Sequence, residues 1–333
     1  MTGLRRDRVG RCPSLAGLGV LLLAPGCGSD EPVARLAARA GPASLVFVGD
    51  VMFDGAVAED FAARGLAPGA ALDPTREHVA AADLAAFNLE TTVSDARAPL
   101  DKRYTFDSDA GLLSALADAG FDLANLANNH VLDFGAAGLA DTREHLAEAG
   151  LETCGIAGID APQVPFVTER AGLTLGLLGY AGPEAPTASA PEFLAFDPRP
   201  ARADLALVER DLAALRPRVD VVVVQVHWGV ELEPVTERQR SLGRFMIDHG
   251  ADLVVGHHPH VVGPAEWYGR GLILYSLGHF LFEFPADPAQ MRGELVRVAV
   301  DERGVRDAER LELALRPQEW IPRPVTGTFE RIR

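Results

Sequence analysis

Two apolar runs that each end in histidine constrain this chain more than any other feature. Residues 221–226 lead into His227-Trp228-Gly229, and residues 253–255 lead into Gly256-His257-His258-Pro259-His260. Runs of valine and leucine with little polar alternation belong to strands covered on both faces. Such strands lie inside a layered α/β body, and polar side chains emerge where the strand ends. Neutral imidazole is the commonest protein ligand for transition metals. Four of nine histidines placed at two strand ends therefore read as a metal site.

The same pattern recurs along the chain. Residues 44–48 end in Gly49-Asp50, and residues 122–126 precede Asn128-Asn129-His130. Amphipathic stretches at 110–119, 138–149, 204–215 and 236–249 predict helices, and Gly120, Gly150 and Gly250 stand where left-handed helix stops occur. Residues 166–170 and 173–178 predict a strand pair turned by Ala171-Gly172. Further strands are expected at 272–277, 294–300 and 311–315, and the Pro- and Ala-rich stretch 182–200 reads as a long loop or lid. Asp50, Asn88 to Glu90, Asn128 to His130, His227 and His258 to His260 all fall at strand ends, which an α/β fold can gather on one rim.

Composition limits the partners. With 48% apolar and 23% charged residues the bulk is globular, and a net charge of −16 argues against nucleic acid and against general attraction to anionic lipid. An anionic substrate must then meet local positive charge, which a metal can supply. Arg5, Arg6, Arg8 and Arg11 precede an apolar stretch at 15–24 and then Leu23-Ala24-Pro25-Gly26-Cys27. This resembles a bacterial lipoprotein signal: 1–26 removed, Cys27 lipidated, 27–42 a tether, 43–333 the folded domain. The implied location is the bacterial cell envelope, on a membrane through the lipid. An ordinary signal peptide with an incidental cysteine is the other reading. The apolar run falls short of the roughly 20 residues that span a bilayer. Cys154 is then the one thiol of the body, with no disulfide partner, and is expected to be buried.

Gly49-Asp50-Val51-Met52, Asn88-Leu89-Glu90, Ala127-Asn128-Asn129-His130 with Asp133-Phe134-Gly135, His227-Trp228-Gly229-Val230-Glu231 and Gly256-His257-His258-Pro259-His260, continuing to Tyr275-Ser276-Leu277-Gly278, follow one another in the order of the CapA family. The chain resembles that family, which is associated with capsule and poly-γ-glutamate synthesis. The family in turn looks like a branch of the calcineurin-like metallophosphoesterases. The resemblance implies an α/β fold, a four-layer metallophosphatase-like β-sandwich flanked by helices, and a divalent transition metal (Mn, Fe or Zn). By position it implies Asp50, Glu90, Asn129, His227, His258 and His260 as metal ligands, Glu90 bridging. It implies His130 as the catalytic residue that contacts substrate or protonates the leaving oxygen. Two metals about 3.5–4 Å apart can activate a bridging water. A histidine with a reference pKa of about 6.5 can act as acid near neutral pH.

One departure matters. The superfamily has Asp-x-His where this chain has Asp50-Val51-Met52, and a thioether is a poor ligand for such cations. One metal keeps Glu90, Asn129, His227 and His258; the other keeps only Asp50, Glu90 and His260. One firm and one weak site are expected. Arg103 and Glu231 are candidate substrate contacts, although Arg103 also fits a solvated turn and Glu231 a supporting role. His257 is expected to face away and orient its loop, His279 to be a site residue or a satisfied loop histidine, and Trp228 to be core. His78, His145 and His249 read as helix-surface residues. Asp50 also fits a helix N-cap, Glu90 a surface acid and Asn129 a turn. Two functions stay open: a metal-dependent hydrolase of phosphoester or amide bonds in making, exporting or anchoring an anionic polymer beside a membrane synthase complex, or a non-catalytic polymer-binding accessory subunit.

Overall fold

Strand periodicity decides the layering. The computed structural model describes residues 41–95, 98–158, 162–182, 199–200, 202–283, 290–316 and 319–333. The expected export signal, Cys27, nearly all of the expected tether and most of the 182–200 stretch lie outside these residues. β1 (Ala43–Val51), β2 (Leu84–Leu89), β3 (Leu123–Asn125) and β4 (Glu152–Cys154) alternate with α1 (Gly55–Ala63), α2 (Arg76–Ala80), α3 (Gly111–Ala119) and α4 (Gly135–Glu148). The short β5 (Ile156–Ala157) follows, then the hairpin of β6 (Phe166–Arg170) and β7 (Leu173–Ala181), then β8 (Arg199–Pro200), which pairs with β5. Next come α5 (Leu205–Leu215), β9 (Val221–His227), α6 (Glu237–Asp248) and β10 (Leu253–His257). The remaining strands are β11 (Ala265–Tyr268), β12 (Gly271–Leu274), β13 (His279–Leu281), β14 (Arg292–Asp301), β15 (Gly304–Ala314), β16 (Arg323–Pro324) and β17 (Glu330–Arg331).

One sheet runs β16-β15-β14-β1-β2-β3-β4, with β13 beside β1 and β17 beside β15; the other runs β11-β12-β10-β9-β7-β6. Neighbours β1 to β4 are parallel, as are β7, β9, β10 and β12. Alternate residues of each strand face opposite layers. Leu45, Phe47, Val221, Val223, Leu253 and Val255 fill the space between the sheets. Val46 and Val48 turn outward into the core that holds Leu112, Leu116 and Leu139 of α3 and α4. Val222, Val224 and Val254 turn outward toward Leu212 of α5 and Met246 of α6. Covering both faces of both sheets makes a helix–sheet–sheet–helix sandwich, the expected α/β sandwich flanked by helices. Each such side chain contributes about 1.5–3 kcal/mol when fully buried. Among the described residues no helix is long and apolar enough to cross a membrane.

The differences from expectation have local causes. β2 is alanine-rich and carries little strand propensity, yet it lies buried between β1 and β3, where pairing overrides propensity. α1 and α2 are short and lack side-chain caps, so their signals are weak. α6 carries the opposite case: Thr236 and Gln239 form a capping box, and the helix lies where its sequence places it.

β1 changes partner along its length. Ala43 to Val48 pair antiparallel with β14, while Asp50 and Val51 pair parallel with β13. Gly49 sits at the change-over, and a Cβ there would collide with the carbonyl of Gly278, the same oxygen that accepts from Asp50 N at 3.0 Å. Gly49→Ala is therefore expected to lower stability by about 1–3 kcal/mol. A chemical-denaturation midpoint equal to that of the parent chain would contradict this account of the junction.

Candidate metal centre

Parallel strands bring their carboxyl ends together, and register places the polar residues side by side. In one sheet His279, Asp50, Asn88 and Asn125 are direct neighbours on adjacent strands. In the other, Ala181, His227 and His257 are neighbours. The two rows meet across the top of the sandwich. Asp50 is 0% exposed and lies within β1, so it is not a helix cap; Asp54 holds that position for α1. Asp50 Oδ1 accepts from Asn88 Nδ2 at 2.9 Å and lies 3.2 Å from His257 Nδ1. Its Oδ2 accepts from His258 N at 3.3 Å and lies 3.3 Å from His260 Nδ1. His257, expected to face away, instead turns inward, because β10 pairs it in register with His227 at the strand end.

Every ligand candidate from the sequence joins this cluster. His227 Nε2 lies 2.7 Å from Asn129 Oδ1 and 3.4 Å from Glu90 Oε1, and His260 Nε2 lies 3.8 Å from Glu90 Oε1. The His227 and His258 rings are 4.6 Å apart between centroids. Donor atoms of Glu90, His227 and His258 fall within 4.8 Å of one another, as do those of Asp50, Glu90 and His260, so Glu90 belongs to both sets. His258 and His260 both carry left-handed backbone, φ +94° and +58°. Non-glycine residues held there cost of order 1–3 kcal/mol each and persist where the surroundings over-determine them.

The electrostatics suit ligation. Burial pushes His258 down to about 3 and His227 well below its ordinary value, so both rings are neutral, as ligands must be. Burial, reinforced by Asp50 and Glu231, holds the Glu90 carboxyl well above its usual range. Burial also pushes Asp50 upward, but His257 and His260 outweigh it and keep Asp50 well below. Both Glu90 oxygens and both His258 ring nitrogens are buried without a hydrogen-bond partner. Such groups cost about 1–3 kcal/mol each when unsatisfied, and a cation among them is the partner that fits two imidazoles, an amide and a carboxylate.

A second constellation stands beside it. His130 Nδ1 lies 2.8 Å from Asp133 Oδ2, and because a carboxylate only accepts, Nδ1 carries the proton and Nε2 is left for another partner. Lys102 Nζ reaches Asp133 Oδ1 and donates to Asn129 O at 2.8 Å. The Phe106 ring tilts against His130 at 4.3 Å. Arg103 is exposed and lies over the Tyr104 ring at 5.0 Å, so Lys102 is the cation of this segment that turns into the site. Glu231 is exposed at the mouth, with a carboxylate oxygen within 4.8 Å of His258 and His260 nitrogens. His279 is buried, with Nδ1 3.0 Å from Gln290 O and its ring 4.8 Å from that of His260. Met52 is buried, and its sulfur accepts from Asp54 N at 3.1 Å. Trp228 and Cys154 are core, and burial pushes the Cys154 thiol up to about 12. His78, His145 and His249 sit on or just past helices away from the cluster.

Asn88, Asn128, Asp133 and Lys102 were given no site role from sequence, although all lie in or beside the motifs. Asn88 is a hub: it donates to Asp50, and its Oδ1 accepts from Asn125 Nδ2 at 3.0 Å and Asn128 Nδ2 at 3.3 Å. Nothing in the spacing distinguishes such a buried amide from a turn asparagine. Asn88→Ala takes a donor from buried Asp50 on β1 and an acceptor from buried Asn125 on β3, and should lower stability by about 1–3 kcal/mol. Unfolding equilibria indistinguishable from the parent chain would show that the hub is dispensable.

Residues 44–284 match the family described as bacterial capsule synthesis protein PGA_cap. The chain is 33% identical over 244 residues to capsule biosynthesis protein CapA of Bacillus anthracis, covering 70% of this chain and 57% of that one. It is 34% identical over 213 residues to PGA biosynthesis protein CapA of Bacillus subtilis (strain 168), covering 61% of this chain and 54% of that protein. A probable polyglutamine synthesis accessory protein of Mycobacterium tuberculosis is 32% identical over 220 residues, covering 61% and 57%. The chain thus spans a little over half the length of these relatives. A solved structure of a hypothetical protein from Thermus thermophilus superposes with a TM-score of 0.49 at 18% identity, covering 82% of this chain and 100% of that one. The matched span holds every residue of the rim cluster from Asp50 to His279, and the chain belongs to the PGA_cap family of CapA-type capsule synthesis proteins.

Proposed function

We propose that this protein is a metal-dependent hydrolase that cuts phosphoester or amide bonds while a capsule polymer of the poly-γ-glutamate type is made, exported or anchored. One observation carries the proposal: two donor sets share the buried, unpartnered Glu90 beside an imidazole held by its own carboxylate. Glu90, Asn129, His227 and His258 would hold the firm cation, and Asp50, Glu90 and His260 a second. Bound there, a divalent ion supplies Lewis-acid polarisation of the attacked group and lowers the pKa of water. The chain's own residues do the rest. Asp133 fixes the tautomer of His130 and aims Nε2 at the substrate oxygen. Lys102 keeps Asp133 paired and anchors the backbone of Asn129. Phe106 covers one face of the His130 ring and excludes water from it. The signal at residues 1–27 supports placement at the bacterial cell envelope, beside a membrane synthase complex.

The accessory reading keeps one specific support, the buried Met52 sulfur bonded to its own loop where a further ligand would help. The two readings part in one experiment. Purified full chain is expected to carry Mn, Fe or Zn by mass spectrometry and to hydrolyse a phosphodiester such as bis(p-nitrophenyl) phosphate or a γ-glutamyl peptide. His130→Ala should keep the metal and lose about 10²–10⁴ in kcat, while His227→Ala should lose the metal. Metal content without turnover on either substrate class would leave the accessory reading; absence of metal with no effect of His227→Ala would end the hydrolase reading.

Metal uptake should also have a specific pH signature. An exposed histidine protonates below about 6.5 and releases its metal, but His258 stays neutral down to about 3. The ligand whose proton competes with the metal is Glu90, whose pKa burial raises well above its usual range. Affinity should therefore fall as pH drops through the raised Glu90 value, and below that value about one proton should be released per metal bound. Calorimetry in buffers of different ionisation enthalpy measures this, and release of two or more protons would mean that the histidines start out charged.

A further inference from the structure

The set formed by Asp50, Glu90 and His260 stops at three donors, whereas transition metals in proteins take four or more. Met52 does not supply the fourth, since its sulfur is engaged by Asp54 N. A carboxylate that the proposed chemistry leaves unused stands at the mouth. An oxygen of Glu231, a nitrogen of His258 and a nitrogen of His260 lie within 4.8 Å of one another. Ligand atoms about 2.0–2.2 Å from a common ion sit within about 4.4 Å of each other. A small rotation of the exposed Glu231 side chain closes that difference.

Three further observations point the same way. Both ring nitrogens of His258, and Nδ1 of His260, are buried without a hydrogen-bond partner, so the single lone pair that a neutral imidazole offers is not spent on a hydrogen bond there. The root of Glu231 is tied to the histidine loop, because the next residue's amide, Leu232 N, donates to Pro259 O at 2.9 Å and Leu232 itself is held at φ +63°. No lysine or arginine among the described residues pairs with the Glu231 carboxylate.

We propose that Glu231 is a metal ligand at the mouth of the site, closing the sphere of the second cation with His260, rather than a substrate contact. The inference rests on the metal-dependent reading above.

The test is a titration of metal-free full chain with Mn²⁺, followed by electron paramagnetic resonance and by metal analysis after dialysis. The parent chain is expected to take up a tight and a weaker equivalent. Glu231→Gln, nearly isosteric and exposed, should weaken only the weaker equivalent by about tenfold or more, and Glu231→Asp should fall between. A second equivalent bound equally well by Glu231→Gln, or a loss of both equivalents together, overturns the assignment. A parent chain that binds one ion, unaffected by Glu231→Gln, overturns it while leaving the proposed hydrolase intact. A parent chain that binds none removes both.

Discussion

The buried Asp50 carboxylate ties the two sheets to each other. It leaves β1 of one sheet and collects an amide from β2 together with a backbone N–H and two imidazoles from the end of β10 and the loop after it in the other. A carboxylate without exposed surface must be paired or neutralised. Removing the partners of a buried charge costs about 3–5 kcal/mol, a large part of the 5–15 kcal/mol that keeps an average domain folded. Structural and chemical demands on this residue therefore cannot be separated. Any chain that packs these sheets in this register also assembles the histidines.

Around that tie the polar residues form two tiers. Asn88, Asn125 and Asn128 exchange amide hydrogen bonds beneath the cluster and hold the loop bearing Asn129 and His130. Lys102 and Asp133 support the same loop from the side. Burial strips water from His227 and His258 and leaves them uncharged, and it holds the Glu90 carboxyl well above its usual range. The result is a hollow of unspent lone pairs in an otherwise well-paired interior. That asymmetry separates it from the pairs that serve only stability, such as Arg216 with Asp252.

Much of this could be read from the residues. Continuous valine runs at β9 and β10 announced strands covered on both faces, and the polar residues at their ends announced the rim. His227, His258, His260, Asp50, Glu90 and Asn129 were legible because ligand chemistry favours those side chains and the family order repeats them. What escaped was set by pairing rather than by composition. The extent of β2 is not marked by its alanine-rich residues and is set by β1 and β3, which flank it. The inward turn of His257 follows from register with His227, which spacing alone does not reveal. Lys102 and Arg103 are adjacent cations, and only the path of their loop decides which one enters the site and which one lies on Tyr104.

The left-handed backbone at His258 and His260 has a consequence beyond the site's geometry. Glycine or asparagine would occupy those φ values with less strain, so at two positions the residue that best serves the backbone differs from the one that serves the chemistry. Heat-driven selection on this chain, with no demand for activity, would drift toward erasing the imidazoles first. The histidine loop is a place where durability and purpose are opposed.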